Sequence, residues 1–284
     1  MEFDLRSVLR FLRTHKFKLI LAVFFVLLPI LSFAFVNFVH SRVSIKVNTV
    51  DSAENPIKLL TYNIFQYSLD KILPVLQEAN ADIIALQETY YGVLNGTPID
   101  GVVWLANNLD YYYYLDEENR TEIYGVSLLS RWPIIDQYNI ELEGIEGYQS
   151  RTALVGIIDS PIGSIPVMAT HLSQPYYFSD RISQINQIVE ESRNYSELII
   201  MGDFNTPDVI FDEGYQILTK EFSDGWIASG NLAIEGRTWP AIAPFLRIDY
   251  IWLKGNWKVI TFSAKLYGNS ENSDHKGVYL EVTL

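Results

Sequence analysis

A chain of 284 residues with 49% hydrophobic and 14% aromatic content carries enough apolar side chain for a generous core, which excludes a disordered protein. The absence of cysteine excludes a disulfide framework and a thiolate metal site. The net charge is −13, but residues 1–40 hold five basic side chains against Glu2 and Asp4, so the rest carries 16 basic and 32 acidic residues, an excess of −16 that argues against a duplex-binding module and leaves room only for a local basic groove.

The first predicted element is a membrane span. Leu19 to Phe38 is a run of 20 residues without charge, with only Ser32 and Asn37 polar. As a helix it is about 30 Å long, the thickness of a bilayer core, and Pro29 in its middle is tolerable there. Arg6, Arg10, Arg13, Lys16 and Lys18 precede it, whereas only Arg42 and Lys46 closely follow. That asymmetry assigns 1–18 to the cytoplasm, 19–39 to an uncleaved signal anchor and the bulk of the chain to the outside. The rival reading is a signal peptide cleaved at Ser32-Phe33-Ala34, although the apolar run continues past Ala34. Residues 40–57 read as a polar stalk.

From 58 to 284 no linker, repeat or low-complexity tract interrupts the chain, which predicts one domain. Its strand-like runs are KLLTYNI, ADIIALQE, VSLLSRW, TALVGIID, IPVMATHL, ELIIMGDF, RIDYIWL, WKVITFSAKLY and VYLEVTL. Between the first two, Leu69, Ile72, Leu73 and Leu76 fall at helical spacing; a second helix is expected over Asp180–Glu191, with Ile182, Ile185 and Val189 on one face. Pro161-Ile162-Gly163-Ser164 reads as a hairpin turn. Tyr111–Tyr114 reads as an edge strand whose alternation buries two of the four, the alternative being an exposed rim for lipid or base stacking. Asn95, Asn119 and Asn194 open Asn-x-Ser/Thr sequons, which fit an external domain. Many strands with few long helices point to stacked sheets covered by helices.

These apolar runs end repeatedly in oxygen- or nitrogen-bearing side chains: Asn63 in TYNI, Glu88 in ALQET, His171 in ATHL, Asp203 and Asn205 in GDFN, Asp249 in RIDYIW, and Asp274-His275 in NSDHKG. Singly, each reads as a turn residue or a hydrogen-bonded core histidine. Jointly, they supply oxygens for a hard divalent cation and imidazoles for acid–base work. His15 and His40 flank the apolar span, so His171 and His275 are the histidines left to the domain. Gly202 is read as letting the backbone turn closely beneath Asp203.

The ordered set LQE at 86–88, THL at 170–172, GDFN at 202–205, DY at 249–250 and SDH at 273–275 resembles the endonuclease/exonuclease/phosphatase superfamily over roughly residues 57–284. The resemblance implies a four-layered α/β sandwich, two packed mixed β-sheets flanked by helices, here preceded by one transmembrane helix. It also implies hydrolysis of phosphoesters with Mg²⁺, or Mn²⁺ in its place. Carried over by motif, Glu88 is the main metal ligand, Asn63 helps hold the metal, and Asp274 is a further carboxylate near it. Asp203 orients or deprotonates the attacking water, and Asn205 binds a phosphate oxygen. His275, oriented by Asp249, contacts phosphate or serves as base; His171 stands beside the leaving group. Arg151, in QSRTALV, either touches a phosphate or makes a surface ion pair.

The leading expectation is a membrane-anchored, outward-facing hydrolase of lipid-linked or small phosphodiesters or pyrophosphates. An anchored or secreted nuclease shares every catalytic residue and loses ground on charge. A non-catalytic binding protein is disfavoured because no motif residue is missing. No protein partner is legible in the sequence.

Overall fold

The computed structural model describes residues 46–65, 68–89, 91–94, 97–115, 125–144, 151–208 and 212–284. The segments expected as cytoplasmic tail and membrane anchor, 1–18 and 19–39, lie outside the described residues, as do Asn95 and Asn119. Among the described residues no helix is long and apolar enough to cross a membrane.

The chain opens with strand β1 (Asn48–Val50), β2 (Ile57–Asn63), helix α1 (Leu69–Ala79) and β3 (Ile83–Gln87). A small hairpin of β4 (Tyr91–Leu94) and β5 (Thr97–Asp100) leads into α2 (Gly101–Leu109), β6 (Tyr112–Leu115) and β7 (Val126–Ser130). Next come β8 (Ile134–Leu142), β9 (Arg151–Ser160), β10 (Gly163–His171), α3 (Phe178–Ser192) and β11 (Leu198–Asp203). The last stretch holds α4 (Glu213–Glu221), β12 (Ser223–Asp224), α5 (Gly225–Ala228), β13 (Asp249–Lys254), β14 (Lys258–Ile260), β15 (Lys265–Tyr267) and β16 (Gly277–Thr283).

Two mixed sheets result. One is ordered β1-β14-β16-β2-β3-β7-β6 with β15 beside β16, the other β12-β13-β11-β10-β9-β8. Strand alternation sorts the side chains. In β2 and β3, Leu59, Ile83 and Ala85 face the core between the sheets, while Leu60, Tyr62, Ile84 and Leu86 face the other way, onto α1 and α2. The helix α1 buries Leu69, Ile72, Val75 and Leu76 there, and Leu73 packs half-buried at its edge. On the second sheet, Tyr215 of α4 lies against Tyr250 and Trp252 of β13, and α4 packs on α3. Helices thus flank both sheets, as the resemblance implied.

Several expectations are corrected. The stalk over 40–57 is not free beyond Lys46: Val47 is buried, and Asn48–Val50 pair with β14. The run WKVITFSAKLY is two short strands, because the chain turns at Phe262, where φ is 54°, and the Phe262 N–H is taken by Ser229 O. In α3 the buried face is Arg181, Gln184, Ile185, Ile188 and Val189, with Ile182 only half-buried. The tyrosine run does form an edge strand, but Tyr112 and Tyr113 are exposed and Tyr111 and Tyr114 only half-buried, since β6 has a neighbour on one side alone.

Gly202 also acts differently from the expected turn. It sits inside β11, paired with Thr170 and Tyr250, and a Cβ there would meet Thr170 O at 2.1 Å. The residue is needed for close approach of strands, not for a bend. Gly202→Ala should therefore destabilise the domain by about 1–3 kcal/mol, the usual cost of overpacking. Urea unfolding followed by tryptophan fluorescence measures this, and an unchanged midpoint would contradict the strand spacing.

Candidate active site

Strand register brings the polar strand ends to one end of the sandwich. Asn63 pairs with Gln87 in parallel, so Asn63 and Glu88 emerge together. His171 pairs with Asp203, and Asp203 with Asp249, across three neighbouring strands. β16 runs antiparallel to β2 with Val278 opposite Thr61, which returns Asp274 and His275 to the end of β2. Ser273 fastens that turn: its hydroxyl donates to Asn63 O at 2.7 Å and accepts from the His275 N–H at 3.1 Å.

Asp203 is the hub. Its Oδ2 accepts from Asn63 Nδ2 at 3.1 Å and lies 3.4 Å from His171 Nε2 and 3.7 Å from His275 Nε2. Its Oδ1 accepts from the Asn205 N–H at 2.9 Å. Asn205, at φ 49°, directs Nδ2 to Leu172 O at 3.0 Å and to His171 Nε2 at 3.3 Å. His275 Nδ1 donates to Asp249 Oδ2 at 2.9 Å. Asn63 Nδ2 also reaches Glu88 Oε1 at 3.2 Å, and Glu88 holds a left-handed backbone at φ 57°. A glutamate in that region is strained, and such strain gathers at functional sites. Asp274 accepts from Trp239 Nε1 at 3.3 Å. Arg151, the first residue of β9, is buried, so the surface ion-pair reading falls; its charge acts on both Glu88 and His171.

The two histidines differ in charge. Burial alone would lower the His275 pKa, but Asp249 and Asp203 outweigh it and push it up to about 10, so this ring is an imidazolium. Burial, with the Arg151 and His275 charges, holds His171 well below its ordinary value and therefore neutral. Burial and the neighbouring Asp249 raise Asp203 to about 7, against the pull of His275. A carboxylate with that affinity for a proton suits a general base.

Asp203, Asp249 and His275 place ligand-type atoms within 4.8 Å of one another. This is a hydrogen-bonded chain more than a metal cage, because the His275 Nδ1 proton is committed to Asp249 and an imidazolium does not ligate. The donors that fit a hard divalent cation stand beside it. Glu88 is half-buried, burial holds its carboxyl above the ordinary value, and Asp274 Oδ1 is buried with no hydrogen-bond partner among the described residues. The carboxylate oxygens of Glu88 and Asp274 suit Mg²⁺ or Mn²⁺, while Asn63 supports Glu88 through its Nδ2 and turns its Oδ1 to the Phe65 N–H at 3.0 Å.

A buried network fixes the frame. Arg247 donates to Asp224 at 2.9 and 2.6 Å and to Asp208 at 3.1 Å, and lies 4.7 Å over the Tyr250 ring. Tyr250 Oη in turn reaches Thr206 O and Arg247 O. The segment carrying Asn205 is thereby tied to the segment carrying Asp249. Arg247→Met should cost about 3–5 kcal/mol, because it strands Asp224 in the core. The double variant with Asp224→Asn should recover part of that loss in urea unfolding; strict additivity would mean that the pair is not coupled.

The structure thus brings Asn63, Glu88, Arg151, His171, Asp203, Asn205, Asp249, Asp274 and His275 to one end of the fold. Sequence reading missed Trp239, Arg247 and the fastening role of Ser273. Arg247 was legible only as a charge two residues before Asp249 in an apolar run, and Trp239 had no sequence signal.

A family model described as "Endonuclease/Exonuclease/phosphatase family" matches residues 60–275. No curated protein matches. Among solved structures, the endonuclease/exonuclease/phosphatase from Bacteroides vulgatus has a TM-score of 0.66 at 16% identity, covering 81% of this chain and 100% of that one. That from Beutenbergia cavernae has a TM-score of 0.65 at 19% identity, covering 81% and 72%. D. rerio TDP2, described as complexed with single strand DNA product, has a TM-score of 0.63 at 16% identity, covering 81% and 100%. At these identities the likeness speaks for the fold.

Proposed function

The chain belongs to the endonuclease/exonuclease/phosphatase family, whose members are phosphoester hydrolases, and from that premise we propose a metal-dependent hydrolase of lipid-linked or small phosphodiesters or pyrophosphates. The observation that carries this reading is the convergence of Asn63, His171 and His275 on one carboxylate oxygen of Asp203.

Asp203, held by the Asn63 amide and the Asn205 N–H, takes the proton of the attacking water, and Asn205 binds a phosphate oxygen. The His275 imidazolium, oriented by Asp249, offers its Nε2 proton to a phosphoryl oxygen, and the Arg151 guanidinium adds a second buried positive charge. Neutral His171, on the other side of Asp203, stands beside the leaving oxygen. Glu88 and Asp274 would hold the divalent cation, with Asn63 helping through its hydrogen bond to Glu88, and the cation when bound would neutralise phosphoryl charge.

The purified chain, assayed with Mg²⁺ on plasmid DNA, RNA, sphingomyelin, phosphoinositides and polyprenyl pyrophosphate, tests the reading. Inactivity on all five would sink it. A nuclease is the second reading, and it draws on the fold shared with a structure complexed with single strand DNA product. The acidic excess beyond residue 40 disfavours it, because a polyanion is repelled at long range. DNA cut about tenfold faster than any lipid would decide for the nuclease.

The proposal includes a single-pass anchor over 19–39 with the domain outside the cell. Protease added to intact cells should then remove the domain and spare the N-terminus. A mature chain starting near Phe35 would replace the anchor with a cleaved signal peptide.

A further inference from the structure

Residues Trp239 to Leu246, WPAIAPFL, hold no charge, although 19% of the chain is charged. They form a braced loop. Trp239 and Leu246 exchange backbone hydrogen bonds of 3.0 Å in each direction, the Ala243 N–H meets Pro240 O at 3.0 Å, and the Ala241 N–H meets Asp274 O at 2.6 Å. Yet the loop holds two large apolar side chains in water: Ile242 is 80% exposed and Phe245 56%. Ile242 is more exposed than any other large apolar side chain among the described residues. A rigid loop that displays an isoleucine and a phenylalanine does not serve the core.

The loop is joined to the candidate active site. The Trp239 indole N–H donates to Asp274, the residue before His275, and the half-buried Trp239 ring touches Phe245 edge-on at 5.8 Å. Apolar side chains therefore begin at Trp239, which holds the residue before His275, and continue in Phe245 packed against it, with Ile242 exposed on the same loop. Strand order sets its side. β11 lies between β10 and β13, so His171 and the Asp249–His275 pair flank Asp203 on opposite sides. The wall lies on the His275 side, away from His171.

Resting on the phosphoester hydrolase reading, we propose that Trp239, Phe245 and Ile242 form a subsite for an alkyl group on the scissile phosphate, specifically the group that stays on phosphorus when the bond at the His171 side breaks. The substrate class is then an amphiphilic phosphoester. An aliphatic tip favours alkyl chains over nucleobases, which stack on aromatic faces. The bond broken is the ester to the leaving oxygen; water supplies the new oxygen on phosphorus and the proton that the leaving group carries away.

The test uses the full chain and p-nitrophenyl phosphodiesters whose second group is methyl, butyl or octyl. At about fourfold per buried methylene, even partial burial should lower KM at least about tenfold from methyl to octyl. Ile242→Asp should flatten that dependence, reducing the methyl-to-octyl ratio of KM toward one, and Ile242→Trp should keep or steepen it. The octyl ester, free in solution or dispersed in phosphatidylcholine vesicles, separates a soluble amphiphile from a membrane-borne one, and in either setting Ile242→Asp should remove the gain. Methyl ester hydrolysed with no chain-length dependence overturns the subsite and leaves the hydrolase standing. Hydrolysis of none of the esters overturns both. A single-stranded oligonucleotide cut faster than the octyl ester, and slowed by Ile242→Asp, overturns the alkyl subsite in favour of a base.

Discussion

His275→Ala is expected to lower kcat by about two to four orders of magnitude, the worth of a positioned acid–base group. The loss is large because the ring serves two carboxylates at once. It pairs with Asp249 at 2.9 Å and faces Asp203 at 3.7 Å. Removing it leaves two buried carboxylates without the imidazolium charge, so some stability is lost as well. His275→Gln separates the two effects, since an amide restores a donor to Asp249 without restoring the charge. Asp249→Asn should reproduce part of the loss through a mis-set imidazole, and His171→Ala should cost at least about a hundredfold by removing the group beside the leaving oxygen. Circular dichroism and thermal unfolding of each variant establish that the domain is folded. Turnover near wild type in a folded His275→Ala protein would remove this residue from the mechanism.

The second large effect is metal removal. Excess chelator should reduce hydrolysis to background, and Mg²⁺ or Mn²⁺ should restore it. Glu88→Gln should weaken cation binding by at least about a hundredfold, more than the loss of a supporting hydrogen bond would cause. Calorimetric titration with Mn²⁺ reads this directly, independent of turnover. Glu88 is the sole glutamate among the strand-end residues, and its half-buried carboxyl already meets Asn63 on one oxygen. A glutamine of the same shape keeps that contact's length but loses the negative charge. Full activity in excess chelator would refute the metal assignment.

Much of this molecule is legible in its sequence. The runs KLLTYNI, ADIIALQE and ELIIMGDF were recognisable as strands because both their faces are buried, which selects unbroken apolar sequence. β8, by contrast, escaped notice because Ile134–Leu142 lies at a sheet edge and is largely exposed, so burial left no pattern in it. α2 escaped for another reason. Its nine residues are too short to display a period, and its one clear signal was Asp100, which accepts from the Val102 and Val103 N–H groups as an N-cap.

The sequence by itself determined the list of polar strand ends, since an apolar strand that stops at Asn, Glu, His or Asp writes that fact into a few adjacent residues. It also determined the order of those motifs and the acidic excess of the chain beyond residue 40. Only the tertiary structure decided which of them share a carboxylate, that His275 is charged while His171 is neutral, and that Arg151 lies inside. Those outcomes depend on register and burial, set by pairings as distant as Val278 with Thr61 and Asp203 with Asp249. Charge state follows the same logic. Desolvation and the nearest opposite charge fix a pKa, and both belong to the folded neighbourhood, not to the residue.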